Sequence, residues 1–214
     1  MDVNPVYTIE GEFLGNTKEG FTGDPLIMNK SNYEFMMDVT GTTSISELTV
    51  EDVKKYNGST FDDVLKIGEA LRGEAQEKIL KNIITQYNDP QISELFNVTF
   101  IGSDVADNLR YDADNKVLQS MYNFGSDLKT GEIFFKHNNW TYEFTVENII
   151  SSIVYHEWLG HGQMGYGNNN EKAIASQQGT HYACYLAVIT SPIFSRTTSA
   201  YQKFNNEMFD LFFK

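Results

Sequence analysis

The sequence predicts an α+β fold: a small, mainly antiparallel sheet packed on helices, one of which carries a histidine-rich motif. Three observations support this. Apolar residues recur at helical spacing in two separate stretches, a cluster of short β-rich runs lies between them, and the composition is that of a chain with a core. With 41% hydrophobic and 14% aromatic residues over 214 positions, the chain has too many core formers to be disordered and the length of one ordinary domain.

In chain order, Met1 to Lys30 is rich in Gly, Asn, Asp and Pro, with short alternating pieces at Val6-Tyr7-Thr8-Ile9 and Glu12-Phe13-Leu14 that read as turns and small strands. It reads as a leader or linker segment (1–30) of a larger parent protein, ahead of a domain over 31–214. Between Phe61 and Tyr87, Val64, Leu65, Ile67, Leu71, Ala75, Ile79, Leu80, Ile83 and Ile84 fall at helical spacing, weakened by Gly68 and Gly73. Asn88-Asp-Pro stops that helix. Leu95–Ile101, Lys116–Phe124 and Glu132–His137 are strand-like runs separated by Gly, Asp and Asn.

From Thr145, an N-cap residue type, the apolar face Val146, Ile149, Ile150, Ile153, Val154 and Trp158 defines a helix to about His161, with Glu147 in its first turn. Gly162, Gly165, Gly167 and Asn168-Asn-Asn170 end it. A second helix is expected from Glu171 to about Ile189, before Pro192, and a third from Thr198 to Phe212, docking through Phe204, Met208, Phe209, Leu211 and Phe212.

Charge and cysteine content narrow the function classes. Sixteen basic residues against 29 acidic give a net charge of −13, which argues against a protein that coats nucleic acid or anionic lipid. No apolar run approaches the roughly 18 residues of a membrane span, and Met1 to Glu10 has neither the basic start nor the apolar stretch of a signal peptide. Cys184 is the single cysteine, so no intrachain disulfide can form, and the residue reads as a small core side chain.

The sharpest signal is Tyr155-His-Glu-Trp-Leu-Gly-His-Gly162, which holds two of the chain's four histidines; a third, His181, follows. A zinc hydrolase takes neutral imidazoles and a carboxylate or third imidazole as ligands, and leaves a position for water whose proton a neighbouring Glu accepts. The common form, His-Glu-x-x-His, puts both ligands one α-turn apart. Here the spacing is five, and in a regular α-helix five residues rotate by about 500°, which leaves the two rings roughly 140° apart. A π-turn with i→i+5 hydrogen bonds brings positions 156 and 161 back to one side, and Gly160 makes such a distortion easier.

His-Glu-Trp-Leu-Gly-His resembles the His-Glu-x-x-Gly-His motif of the dipeptidyl peptidase III metallopeptidases, a likeness of about seven residues. It implies a zincin-like fold, Zn²⁺ as cofactor, His156 and His161 as ligands and Glu157 as general base. That family's downstream Glu-Glu-x-x-x-Glu type segment is absent, and the chain is far shorter. Asn4-Pro-Val-Tyr7, Gly11-Glu-Phe-Leu-Gly15 and Gly20-Phe-Thr-Gly23 are similar to the segment after the core of Rhs-type polymorphic toxins of Bacteroidetes. Thr180-His-Tyr-Ala-Cys-Tyr185 and Ser191-Pro-Ile-Phe-Ser-Arg-Thr-Thr198 are similar to the metallopeptidase-like tails of such proteins. That resemblance implies a C-terminal effector domain, secreted within a larger protein or delivered to a target cell, with a protein or peptide substrate and an immunity protein as partners.

The third ligand is expected on the second helix, as His181 or Glu171. Glu171 has a simpler role beside the helix start, whereas a mid-helix histidine is costly unless paired or bound. Tyr185 and Tyr166 are candidates for the partner of the oxyanion, alongside a plain packing role for either. The expected function is zinc-dependent peptide hydrolysis; the alternative is a non-catalytic, degenerate zincin-like binding or structural domain of a larger secreted protein.

Overall fold

The computed structural model describes residues 4–60, 73–87, 98–101, 120–124, 131–135, 143–163 and 177–213. They form a mixed α+β protein that divides into two compact units, Met1–Ile83 with Glu143–Val146, and Ile84–Tyr142 with Glu147–Lys214.

The first unit is built on strands β1 (Pro5–Thr8), β2 (Phe13–Asn16), β3 (Leu26–Met28) and β4 (Ser59–Thr60), in the order β2-β1-β3-β4. β1 pairs antiparallel with β2 and parallel with β3, and β3 pairs antiparallel with β4. Every residue of the two central strands β1 and β3 is buried, although the sequence of β1 reads as a short alternating piece. The segment read as a leader thus supplies three strands, and the 30/31 boundary falls in the first turn of a helix, α1 (Lys30–Thr40).

Val6, Leu26 and Met28 form one core with Met36 of α1, with Ile45 and Leu48 around a 3₁₀ turn, and with Val53 of α2 (Val50–Lys55). Gly15 of β2 has φ +136°, and a Cβ there would run into Ile45, so the position takes glycine on both counts. Tyr7, on the other face of β1 from Val6, donates its hydroxyl to Asn82 Oδ1 at 2.9 Å, and burial drives its phenol far above the ordinary range. Asn82 belongs to α3 (Gly73–Gln86), whose buried face is Ala75, Ile79, Leu80, Ile83 and Ile84, all residues of the predicted periodicity.

α2 is short and depends on its start. Thr49 and Asp52 form a capping box: Asp52 N donates to Thr49 Oγ1 at 3.2 Å, while Asp52 Oδ2 accepts from Thr49 Oγ1 at 2.7 Å and from Thr49 N at 2.9 Å.

In the second unit, β5 (Val98–Ile101), β6 (Ser120–Phe124) and β7 (Gly131–Phe135) form a sheet of order β5-β7-β6. The expected runs are strands, but the sheet is not mainly antiparallel: β5 runs parallel to β7, and only β6 is antiparallel to it. A parallel pair needs a crossover between its strands, and strand-like composition carries no information on direction. The sheet packs through β6 and β7 on the helix that follows. That helix starts as α4 (Val146–Ile150) and continues as a π-helix over Ser151–Gln163. α5 (Gln177–Ile189) packs on the π-helix, and α6 (Ser199–Phe213) packs on α5. No helix among the described residues is long and apolar enough to cross a membrane.

Replacing Thr49 with Ala is expected to cost about 1 kcal/mol, read as a lowered urea midpoint. The Asp52 carboxyl is held below its usual range, first by the Thr49 hydroxyl and then by the Thr49 amide, with burial opposing them and the charge of Lys55 adding a smaller lowering. A carboxyl lowered by folding stabilises above its unfolded pKa and ceases to do so as pH falls through its folded value. The stability gap between wild type and Asp52→Asn should therefore be present at neutral pH and close in acid below the ordinary Asp pKa.

Candidate functional site

The π-helix is the unusual feature of the second unit, and the histidine motif lies on it. Its i→i+5 hydrogen bonding makes positions five apart neighbours along one face, so the backbone positions of His156 and His161 are one π-turn apart. The distortion extends over 13 residues rather than one turn.

From residue 151 to 160 most of the helix is buried. Ile153, Val154, Tyr155 and Trp158 are each at most 2% exposed, and Trp158 is among the largest side chains fully enclosed. Tyr155 shares a 2.9 Å hydroxyl contact with Tyr87, with the two rings edge to face. His156 is half-buried, its ring 4.9 Å from that of Tyr185 and steeply tilted to it. Glu157 is 5% exposed, a carboxylate held in the helix layer away from bulk water.

Gly160 fixes how closely α5 can approach. A Cβ at this position would lie 2.7 Å from Cys184 Sγ, 3.0 Å from Cys184 Cβ and 3.1 Å from its Cα. The glycine therefore permits backbone contact between two helices, in addition to the softening of the helix expected from sequence. Cys184 is fully buried, and burial first, then the charge of Glu157, push its thiol well above the ordinary range. It is the core residue the sequence suggests.

Cys184, Tyr185 and Val188 are the buried face of α5, at helical spacing, and position 181 lies one α-turn before Tyr185 along that face. The side chains of His161 and His181 lie outside the described residues, as do Glu171 and Tyr166. Of the candidates, the structure thus brings His156 and Tyr185 into contact and buries Glu157 beside Cys184. Among the described residues no three metal-ligating side chains converge, a set that includes neither of those two histidine side chains nor Glu171.

Sequence reasoning passed over Tyr201 on α6. It is 4% exposed, and burial raises its phenol strongly, with the polar neighbours Ser151, Asn205 and Ser152 partly offsetting this and the charge of Glu157 adding to it. The docking face of α6 is accordingly centred on Tyr201 and Asn205, with Phe204 edge-on to Tyr185 and Phe209 stacked on Tyr182. Leu211, assigned to that face from spacing, is 63% exposed. The available signal was the i, i+4 pair Tyr201/Asn205, which apolar periodicity ignores because one member is polar.

The start of α4 is tied to the start of α6. Thr198 N donates to Asn148 Oδ1 at 3.1 Å, and Asn148 Nδ2 donates to Thr198 Oγ1 at 3.1 Å. Glu147, 3% exposed, accepts from Arg196 Nη2 at 3.1 Å, so its role exceeds the helix-dipole complement expected of a first-turn acid. Compared with family models, curated proteins and solved structures, the chain matches none.

Gly160→Ala is expected to destabilise the protein by about 1–3 kcal/mol, because the Cα of Cys184 cannot move as a flexible side-chain end can. In a double-mutant cycle with Cys184→Ala, removal of Sγ should recover only part of that loss, read from urea unfolding midpoints.

Proposed function

We propose that this chain is a zincin-like, zinc-dependent peptidase domain that acts as a toxin-like effector, carried C-terminally within a larger secreted protein or delivered to a target cell. The observation that supports it most is the π-helix over Ser151–Gln163, which makes a His-Glu-x-x-x-His spacing compatible with two ligands on one face. The donor set fits zinc: His156 is half-buried on that helix, His161 follows one π-turn later, and His181, or Glu171 in its place, would complete the set from the following segment. Zinc held there supplies a water of lowered pKa and polarises a peptide carbonyl.

Glu157, enclosed next to His156 in sequence, accepts the proton of the attacking water on its carboxylate and returns it to the leaving amine. The Tyr185 ring restrains His156, and its hydroxyl donates to the oxygen that gains negative charge as the carbonyl is attacked. Gly160 and Cys184 hold the two helices at the separation on which this arrangement depends. The substrate in this reading is a protein or peptide, with a cognate immunity protein as a further partner.

Metal analysis of protein purified without chelator is expected to find one zinc per chain, lost in His156→Ala and in His181→Ala. Zinc lost in the first variant and kept in the second assigns the third ligand to Glu171. Glu157→Gln should keep the metal and lower hydrolysis of a mixed peptide library by about 10²–10⁴-fold. A wild-type chain that takes up no zinc even when it is added back ends the peptidase reading and leaves a binding domain.

A further inference from the structure

The first unit presents a surface that the proposed peptidase chemistry does not use. On α1, Phe35 is 61% exposed and Val39 55%, one turn apart on the same face. Glu34 and Asp38, also exposed and also one turn apart, form a second row. Each residue of a helix turns by about 100°, so the rows at 34/38 and 35/39 are adjacent, and the buried Met36 follows on the far side of the apolar row. The Phe35 ring meets Tyr56 edge to face, with centroids 6.2 Å apart, and Lys55 Nζ lies 5.8 Å from the centre of the Tyr56 ring. The apolar row is thus continuous with the end of α2, and most of the Phe35 surface remains in water.

The fold accounts for neither row. Single exposed apolar residues are ordinary, but α1 fully buries one residue, Met36, and leaves two large apolar neighbours in solvent. Glu34 and Asp38 are like charges at i, i+4, an arrangement that destabilises a helix. Lys30, one turn before Glu34, pairs with Glu12 instead, at 3.7 Å, and among the described residues no basic side chain forms an ion pair with Glu34 or Asp38. No side-chain bond at the N-cap offsets the repulsion.

We propose that the exposed face of α1 docks a basic amphipathic helix of another protein, whose apolar ridge lies along Phe35 and Val39 and whose Lys or Arg side chains pair with Glu34 and Asp38. Charge complementarity selects this occupant. The net charge of −13 sets two copies of the chain against each other and repels an anionic lipid surface, whereas a basic helix gains from both rows at once. α1 is about 16 Å long, so the contact belongs with small, transient interfaces. The surface is part of the first unit, and the proposal stands or falls apart from the peptidase reading.

The test is fluorescence anisotropy of a labelled synthetic helix of leucine and lysine titrated with the whole chain, beside a leucine-glutamate helix of the same pattern. Saturable binding of one leucine-lysine helix per chain is expected, weakening with added salt, with none of the leucine-glutamate helix. Phe35→Ser with Val39→Ser should weaken it at least about tenfold, and Glu34→Gln with Asp38→Asn by a similar factor. The second pair changes only exposed side chains and removes a like-charge repulsion, so its urea midpoint should equal or exceed that of wild type, which separates lost binding from lost folding. Ile9→Ser with Glu10→Gln, an exposed apolar and acidic pair between β1 and β2, is the control and should leave the affinity unchanged. No saturable binding, an equal loss in the control variant, or equal binding of the leucine-glutamate helix would each overturn the proposal. So would sedimentation that shows a dimer of the chain dispersed by Phe35→Ser with Val39→Ser, which would give the face to a second copy.

Discussion

The near-contact of Gly160 with Cys184 is the constraint on which the second unit depends. Two helices pack with backbone almost against backbone at that point, and the missing Cβ sets how closely α5 can lie on the π-helix. Close packing transmits such a constraint, because interiors are dense and have no slack to absorb a displaced atom. His156 meets Tyr185 and Glu157 lies within electrostatic reach of Cys184 through this approach. A wider spacing would separate the first pair and admit water to the second.

Two further ties limit how the helix layer can shift. The reciprocal bonds of Asn148 with Thr198 satisfy an otherwise open amide at the start of α6, and they join that start to the beginning of the motif helix. The ion pair of Glu147 with Arg196 acts on the neighbouring residue in the same direction. The long π-helical stretch is bordered by α4, by α5 and, through the residues around Tyr201, by α6. A strained helix form persists where its surroundings over-determine it, and here they do.

The first unit shows a different economy. Its sheet is short, and its central strands are covered on both faces, one by the Val6, Leu26 and Met28 cluster and the other by the side on which Tyr7 reaches Asn82. Its small helices bury little: α1, which has no side-chain bond at its N-cap, buries only Met36, and α2, opened by the Thr49–Asp52 capping box, only Val53. That is the physical reason periodicity assigns no element between residues 31 and 60. One buried residue per helix leaves no apolar stripe to detect. The caps were legible in principle, since Thr49 precedes Asp52 by the three residues of a capping box.

What the sequence determined by itself is local. The stripe of α3, the run from Val146 to Trp158 and the three strand-like runs before it are set by side-chain period, and each is an element in the structure. That a π-turn would bring positions 156 and 161 to one side followed from counting the residues between them, since helix geometry converts spacing directly into angle. Tertiary structure decided what depends on partners distant in the chain. It made β5 parallel to β7, folded residues 5–28 into a sheet, left Leu211 in solvent and buried Tyr201 and Asn205 instead. It also revealed the deeper reason for glycine at 160, because only the presence of Cys184 across the interface makes a Cβ there intolerable. Direction, partnership and steric exclusion are properties of pairs of segments, and no single stretch of sequence contains them.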